Sequence, residues 1–203
     1  MIVLGLTGSI AMGKSTAAAM FRALKVPVFD ADATVHRLLG RGGGAVARVA
    51  AAFPGVLAEG AIVRPELARR VFGDDAALKR LEAILHPEVA AARRRFVRRA
   101  LARKEPLVVF DIPLLFETAG ERACDLVAVV SAPRVVQEQR LLRRPGMDRK
   151  RLAAILARQM PDAHKRKRAD VIIPSGLGKA VTRKVIARLV ADLRCRAMER
   201  AHA

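Results

Sequence analysis

The feature that most constrains the fold of this chain is a glycine-containing segment close to its N-terminus. Residues 8–16 read Gly-Ser-Ile-Ala-Met-Gly-Lys-Ser-Thr and fit the pattern G-x-x-x-x-G-K-[ST]. The apolar run Ile2–Leu6 comes directly before them, and a helical pattern begins where they end. A strand, a glycine-rich loop and a helix in this order are typical of a phosphate-binding loop, so the sequence predicts a nucleoside triphosphate site.

The residue types in this loop match the chemistry of phosphate binding. Gly8 and Gly13 allow backbone geometry and close approaches that a Cβ would obstruct. Backbone N–H groups of the loop and the N-terminus of the following helix can hold phosphate oxygens. Lys14 is expected to bridge the outer phosphates and Ser15 to ligate Mg²⁺. The predicted nucleotide-binding residues are Gly8, Ser9, Ile10, Ala11, Met12, Gly13, Lys14, Ser15 and Thr16.

Short apolar runs further along the chain predict the rest of the sheet. They alternate with helical patterns, as expected for a parallel α/β sheet covered on both faces and joined by right-handed crossovers. The predicted fold is therefore a three-layer α/β/α arrangement with a five-stranded parallel sheet. The five predicted strands are Ile2–Leu6, Val26–Phe29, Leu107–Phe110, Leu126–Val130 and Val171–Ile173.

The stretch from Asp30 to Pro106 shows no convincing strand and is too long for one crossover helix. Helical patterns lie near 45–53, 65–72 and 75–103, so we interpret this stretch as a helical insertion. We expect a nucleotide-binding core at 1–35 and 105–203, with a lid at about 136–160, and a helical substrate-binding insertion at 36–104. A final amphipathic helix is predicted to bury Val181, Val185, Ile186, Leu189, Val190 and Leu193 on one face.

A formal charge of +19 points to polyanionic partners, such as nucleic acid, anionic lipid or a phosphorylated small molecule. The chain has no Trp, no Tyr and seven Phe, which argues against stacking platforms for single-stranded bases. No apolar segment reaches the length of a membrane helix, and we expect a cytoplasmic protein without a membrane partner. The clusters at 149–151 and 165–168 are predicted to be solvated helix faces.

The phosphate-binding loop identifies the phosphate donor and leaves the acceptor open. The sequence contains neither the N-K-x-D nor the D-x-x-G stretch of a GTPase, and 203 residues leave little room for a motor ATPase. A small-molecule kinase, with an insertion for the acceptor and a basic lid, fits this length best. A nucleic-acid-stimulated ATPase and a kinase for nucleosides or shikimate-like alcohols stay open as alternatives.

Two carboxylates follow the second predicted strand, in Asp30-Ala31-Asp32-Ala33. Strand carboxyl ends line the ligand crevice of an open parallel sheet, so one of them can serve as a base that accepts a hydroxyl proton. Capping of the helix that begins near Ala33 is the alternative role, and the sequence does not assign the two residues. His36 lies one helical turn after Asp32 on the same face, as a candidate ligand contact or an ordinary surface residue.

Several motifs in this chain, taken together, resemble the dephospho-coenzyme A kinase family. Beside the phosphate-binding loop and Asp30-Ala31-Asp32, they are Leu81–Pro87, Ile112–Glu117 and Gln159-Met160-Pro161, in the family's order from residue 2 to about 178. The resemblance implies ATP-dependent phosphorylation of the ribose 3′-hydroxyl of dephospho-CoA, the last step of coenzyme A synthesis. Two departures are Ser9 and Ala11, where the family often has glycine, and Pro174-Ser175, where it commonly has asparagine.

The resemblance also implies residue roles. Asp32 would be the catalytic base, Lys14 the cation on the phosphates, and Arg140 the lid arginine that stabilises the transferred charge, with Arg144 as a further nucleotide contact. ATP and Mg²⁺ would be the cofactors and dephospho-CoA the partner, with no specific nucleic acid, in a monomer or weak homo-oligomer. The implied substrate-binding residues are Thr7, Asp32, His36, His86, Pro113, Leu114, Leu115, Phe116 and Glu117.

Overall fold

The computed structural model describes residues 1–143 and 159–202. Its main sheet has five strands in the order β2-β5-β1-β6-β7, and two further strands, β3 and β4, form a separate hairpin. The strands are β1 Ile2–Thr7, β2 Val28–Asp30, β3 Leu57–Ala58, β4 Ala61–Ile62, β5 Leu107–Asp111, β6 Leu126–Ser131 and β7 Val171–Pro174. All five predicted strands of the main sheet are confirmed.

Eight described α-helices accompany these strands. They are α1 Lys14–Ala23, α2 Ala31–Leu39, α3 Val46–Ala52, α4 Arg64–Val71, α5 Asp75–Ala102, α6 Arg134–Leu142, α7 Asp162–Lys167 and α8 Lys179–His202. A 3₁₀ turn at Gly120–Ala123 precedes β6. Among the described residues, no helix is both long and apolar enough to cross a membrane.

The sheet is parallel and buried on both faces. Strand β1 pairs in parallel with β5 on one side and with β6 on the other, and β6 pairs in parallel with β7. Alternate residues of β6 point to opposite faces. Ala128 and Val130 join one core cluster with residues of α1 and α8, whereas Val127 and Val129 join a second cluster with Leu115. This two-sided burial explains why the strands read as continuous apolar runs.

Helix α8 confirms the predicted amphipathic helix, with one correction. Ile186, Val190 and Leu193 are buried against the sheet, but Val181 is 38% exposed. The buried residue of the first turn is Thr182, whose hydroxyl donates to the Pro174 carbonyl at the end of β7. The hydrogen bond of the Thr182 hydroxyl therefore anchors the start of α8, where the sequence predicted apolar burial of Val181.

The chain divides into two compact units. The first comprises Met1–Phe29 and the residues from Ala100 onward, and the second comprises Asp30–Arg99. The second unit has its own apolar core, formed by residues of α2, α3, β4, α4 and α5. It also contains the β3–β4 hairpin, so the expectation that this stretch has no strand is wrong. Glu59 and Gly60 both have positive φ and form the two-residue turn.

Candidate active site

The loop between β1 and α1 combines tight packing with left-handed backbone. A Cβ on Gly8 would lie 2.6 Å from the Val130 carbonyl oxygen, so this position has room for glycine alone. Gly13 has φ +90° and immediately precedes α1, which begins at Lys14. Ala11 also has positive φ, +59°, a conformation that costs a residue with a Cβ about 1–2 kcal/mol. The loop therefore adopts at Ala11 a backbone that glycine would adopt more easily.

Side-chain donors hold three consecutive carbonyl groups of this loop. Gln137 Nε2 donates to the Ile10 carbonyl at 2.8 Å, and Arg140 Nη1 donates to the Ala11 carbonyl at 3.3 Å. Ser175 Oγ donates to the Met12 carbonyl at 2.5 Å. With the carbonyl oxygens bound to the surrounding protein, the loop can present N–H groups to a phosphate. The sequence analysis assigned no role to Gln137 and gave Ser175 only as a departure from a family pattern.

A second glutamine binds the other polar group of Ile10. Gln159 Oε1 accepts a hydrogen bond from the Ile10 N–H at 3.0 Å. Gln137 lies on α6 and Gln159 lies close before α7, so side chains from two separate segments bind Ile10. Gln137 is buried, at 7% exposure. These two amides fix the position of the loop midway between Gly8 and Gly13.

Arg140 contacts the loop and the end of β7 together. Beside its bond to Ala11, its Nη1 donates to Ser175 Oγ at 3.1 Å and its Nη2 donates to the Ser175 carbonyl at 2.6 Å. The guanidinium group therefore lies at the phosphate-binding loop. Arg144, the cluster at 149–151 and the predicted lid beyond Arg143 lie largely outside the described residues.

Lys14, the first residue of α1, is paired with a carboxylate that the sequence analysis missed. Its Nζ lies 2.5 Å from Asp111 Oδ1, and the two side chains are 15% and 5% exposed. Asp111 is the last residue of β5, which lies next to β1 in the sheet. The sequence signal was present, because Asp111 is the first charged residue after the apolar run Leu107–Phe110. A buried carboxylate beside the loop lysine offers a second oxygen ligand for a divalent cation, in addition to Ser15.

The segment after β5, expected to contact the acceptor, is partly buried. The Thr7 hydroxyl is fully buried and donates to the Pro113 carbonyl at 2.9 Å, which ties the end of β1 to this segment. Leu115 and Phe116 are buried in the core on one face of the sheet, so they support the segment and do not line an open pocket. Leu114, at 38% exposure, is the apolar side chain of this segment that is open to a ligand.

Glu117 is held by a fully buried lysine. Lys165 Nζ lies 2.9 Å from Glu117 Oε1 and also donates to the Pro113 carbonyl at 3.3 Å. The Met160 N–H donates to the same carboxylate oxygen at 2.8 Å. Burial alone would raise the pKa of Glu117, but the hydrogen bonds from Lys165 and Met160 outweigh it and lower the pKa below 4.5. Glu117 is therefore an ionised anchor of its own segment.

The basic cluster at 165–168 is not uniformly a solvated face, and that expectation is wrong for Lys165, which has no exposed surface. Arg168 is exposed, and its guanidinium lies 4.5 Å from the centre of the Phe116 ring while pairing with Glu121. Clustered charge in a sequence usually indicates exposure, because isolated buried charges are costly. Here a carboxylate and a carbonyl oxygen compensate the lysine, and neither partner is near it in sequence.

In the second unit, the structure assigns the helix cap to Asp30. Its Oδ1 accepts a hydrogen bond from the Ala33 N–H at 2.9 Å, and α2 begins at Ala31, two residues earlier than the sequence indicated. Asp32 lies in the first turn of α2 and is exposed. The capping role that the sequence left open between the two acids thus belongs to Asp30, and the Asp32 carboxylate is open to solvent.

The two histidines expected to contact substrate lie on different helices of this unit. His36 is exposed on α2, and its ring is contacted by the guanidinium group of Arg64, a residue to which the sequence analysis gave no role. His86 is exposed within α5 and is followed by Pro87, which the helix accommodates in its interior. His86-Pro87 is therefore part of a continuous helix, in agreement with the helical pattern predicted at 75–103.

Metal ligation by protein side chains alone is not indicated. Across residues 1–143 and 159–202, no group of three or more His, Cys, Asp or Glu side chains is placed to hold a metal ion.

Comparison with known proteins identifies close relatives. The family model described as dephospho-CoA kinase matches residues 2–178. A dephospho-CoA kinase of Paramagnetospirillum magneticum is 66% identical over 166 residues, which cover 82% of this chain and 78% of the relative. One from Mesorhizobium japonicum is 53% identical over 194 residues, covering 96% of this chain and 98% of the relative.

Solved structures agree with the fold. The crystal structure of TT1252 from Thermus thermophilus is 37% identical, has a TM-score of 0.80, and the match covers 95% of this chain and 97% of that one. A dephospho-CoA kinase from Campylobacter jejuni, 24% identical with a TM-score of 0.63, covers 94% of this chain and 96% of its own and supports the same fold.

Proposed function

The chain belongs to the dephospho-CoA kinase family, and on this premise we propose that it transfers the γ-phosphate of ATP to the ribose 3′-hydroxyl of dephospho-CoA. The products are coenzyme A and ADP. The observation that carries the proposal is the family match over residues 2–178, which contain the complete phosphate-binding loop and both acidic residues, Asp30 and Asp32, at the junction of β2 and α2.

The reaction needs positioning more than a strong base. The acceptor oxygen attacks the γ-phosphorus, the bond from that phosphorus to the β,γ-bridging oxygen breaks, and the hydroxyl proton passes to the Asp32 carboxylate. Because the transition state of phosphoryl transfer is loose, Asp32 orients the hydroxyl and accepts its proton late. An exposed carboxylate suits this role.

The cations around the loop stabilise the charge that moves to the leaving ADP. Lys14 would exchange its pairing with Asp111 for the outer phosphates when ATP binds. Arg140 already contacts the loop backbone and can turn one of its donors to a phosphate oxygen. Partly buried, prepositioned donors of this kind are worth more than donors in water.

Mg²⁺ fits the chemistry of the residues present. Ser15 supplies a hydroxyl at the start of α1, and Asp111 supplies a buried carboxylate at the end of β5. These hard oxygen donors are the kind that Mg²⁺ prefers, and phosphates complete such sites. When bound, the ion would neutralise charge on the β- and γ-phosphates.

We also propose that the protein acts as a monomer or weak homo-oligomer in the cytoplasm, without a nucleic-acid partner. Light scattering and cell fractionation test the first two statements. The third predicts that RNA does not stimulate ATP turnover.

An ADP-release assay tests the proposed function. Purified protein with ATP and Mg²⁺ is offered dephospho-CoA, nucleosides or RNA, and we expect ADP release with dephospho-CoA. Lys14→Ala should lose both nucleotide affinity and turnover, whereas Lys184→Ala, at an exposed position of α8, serves as the matched control. ADP release that depends on RNA, or full activity of Lys14→Ala, would contradict the proposal.

A further inference from the structure

One face of α2 carries two of the residues discussed above. Asp32 and His36 are four positions apart on this helix, so their side chains project from the same face, about 5–6 Å apart at Cβ. Both are exposed. A ligand group that reaches the Asp32 carboxylate therefore passes beside the His36 ring.

Arg64 brings a guanidinium group to the His36 ring. It is the first residue of α4, is exposed, and its Nη1 donates to His36 Nε2. Arginine has donors only, so the ring nitrogen of His36 that it contacts is the acceptor. The carboxylate nearest to Arg64 in sequence, Glu66, pairs with Arg69 at 2.6 Å. The positive charge of Arg64 is thus placed next to the imidazole ring of His36.

We propose that Arg64 and His36 together bind the diphosphate of the acceptor, while Asp32 faces the 3′-hydroxyl of the same nucleotide. The inference rests on the proposed function, because it takes dephospho-CoA as the acceptor. The ribose 3′-oxygen and the 5′-diphosphate are only a few bonds apart, a separation comparable to one helical turn. The spacing from Asp32 to His36 therefore matches the two groups of one ribose nucleotide.

The donor set suits a diphosphate. Arg64 offers a planar fork of N–H groups that can bind two phosphate oxygens, and His36 adds an imidazole N–H. Such a contact would select acceptors that carry a 5′-phosphate group over plain nucleosides. It would also hold the ribose so that its 3′-hydroxyl stays at Asp32, which is the positioning that phosphoryl transfer needs.

The test compares Arg64→Gln with Arg69→Gln. Both substitutions remove one arginine charge from α4, but Arg69 is paired with Glu66 at the surface. Calorimetric binding of dephospho-CoA and of adenosine, which lacks the diphosphate, is measured for both variants, together with the KM values for dephospho-CoA and ATP. Thermal unfolding shows whether both variants are folded.

We expect Arg64→Gln to weaken dephospho-CoA binding and raise its KM by at least about tenfold, the usual scale of a charge-assisted phosphate contact. Adenosine binding, the KM for ATP and the Arg69→Gln variant should stay within about twofold. Equal losses for adenosine and dephospho-CoA, or equal effects of the two variants, would overturn the inference.

The proposed function and the proposed diphosphate site can be contradicted independently of each other. If wild-type protein binds dephospho-CoA through Arg64 but does not phosphorylate it, the proposed function is wrong and this site stands. If wild-type protein phosphorylates dephospho-CoA and Arg64→Gln binds it normally, the site is wrong and the function stands. Absence of any dephospho-CoA binding by wild-type protein overturns both.

Discussion

Asp30 and Asp32 are two residues apart, yet their replacement should have different effects. Replacing Asp30 should lower stability, and replacing Asp32 should lower activity. Asp30→Ala removes the acceptor for the Ala33 N–H and should cost about 1 kcal/mol of unfolding free energy, the usual value of a helix cap. Asp32→Asn should leave stability almost unchanged, because its side chain is exposed, and lower kcat roughly 10²- to 10⁴-fold.

Urea unfolding and steady-state kinetics on both variants measure this contrast. Each variant is the control for the other. A normal kcat in Asp32→Asn would contradict the role of Asp32 as base, and an unchanged unfolding free energy in Asp30→Ala would contradict the cap.

The Glu117–Lys165 pair predicts a pH-dependent contribution to stability. The pKa of Glu117 is lowered in the folded protein, so its stabilising effect is complete above the unfolded pKa of about 4.5 and is lost as pH falls through the lower, folded value. Glu117→Gln should therefore cost roughly 1–3 kcal/mol of unfolding free energy at pH 7, because Lys165 stays buried.

The difference between Glu117→Gln and wild type should shrink as the pH is lowered below 4.5. Urea unfolding at a series of pH values measures it. Glu138→Gln is the matched control, because Glu138 forms an exposed pair with Arg134, and such pairs contribute little. A penalty that stays the same at low pH would show that the charge of Glu117 is not responsible.

At the scale of elements, the phosphate-binding loop is shaped by segments far away in sequence. Gln159→Ala should leave the Ile10 N–H without its acceptor and loosen the loop, raising the KM for ATP about fivefold, since one hydrogen bond is worth about 1 kcal/mol. Gln139→Ala, at an exposed position of α6, should leave the KM for ATP unchanged.

Steady-state kinetics with varied ATP distinguish the two variants. The loss for Gln159→Ala should fall mainly on the KM for ATP, with kcat changed less, because Gln159 acts through the loop backbone. An equally large rise of the KM for ATP in Gln139→Ala would contradict this prediction, because the rise in Gln159→Ala would then not depend on the bond to Ile10.

The sequence predicted the elements whose signals are local. Buried parallel strands read as continuous apolar runs, which located all five strands of the main sheet. The β3–β4 hairpin was not predicted, because strands of two residues are too short to show a periodic apolar pattern. Leu57 in this hairpin is also 51% exposed. The long helix through His86-Pro87 matches the helical pattern at 75–103, although proline usually ends or kinks a helix.

The sequence predicted less of the site, because much of it depends on tertiary pairing. The loop motif stands out by its spacing, whereas Asp32 is singled out only by the family resemblance. Lys165 and Asp111 do not stand out, because each is paired with a residue that lies far away in the sequence. Lys165 pairs with Glu117, and Asp111 pairs with Lys14. Arg64 is found only through its contact with His36.

For the whole molecule, the charge of +19 does not by itself specify a polyanionic polymer as partner. Some of this charge is used internally, as Lys165 shows by its burial and Arg140 by its bonds to the loop and to Ser175. Other cationic side chains are candidates to bind the triphosphate of ATP and the diphosphate of dephospho-CoA, the two substrates of the proposed reaction. The positive field then increases the encounter with small anionic substrates.

The most direct test of this account is the identity of the product formed from ATP, Mg²⁺ and dephospho-CoA. Phosphorus NMR with mass spectrometry should show one new phosphate monoester on the ribose 3′-oxygen, formed in equal amount to ADP. Free phosphate without a new ester, or a phosphate on any other oxygen, would contradict it.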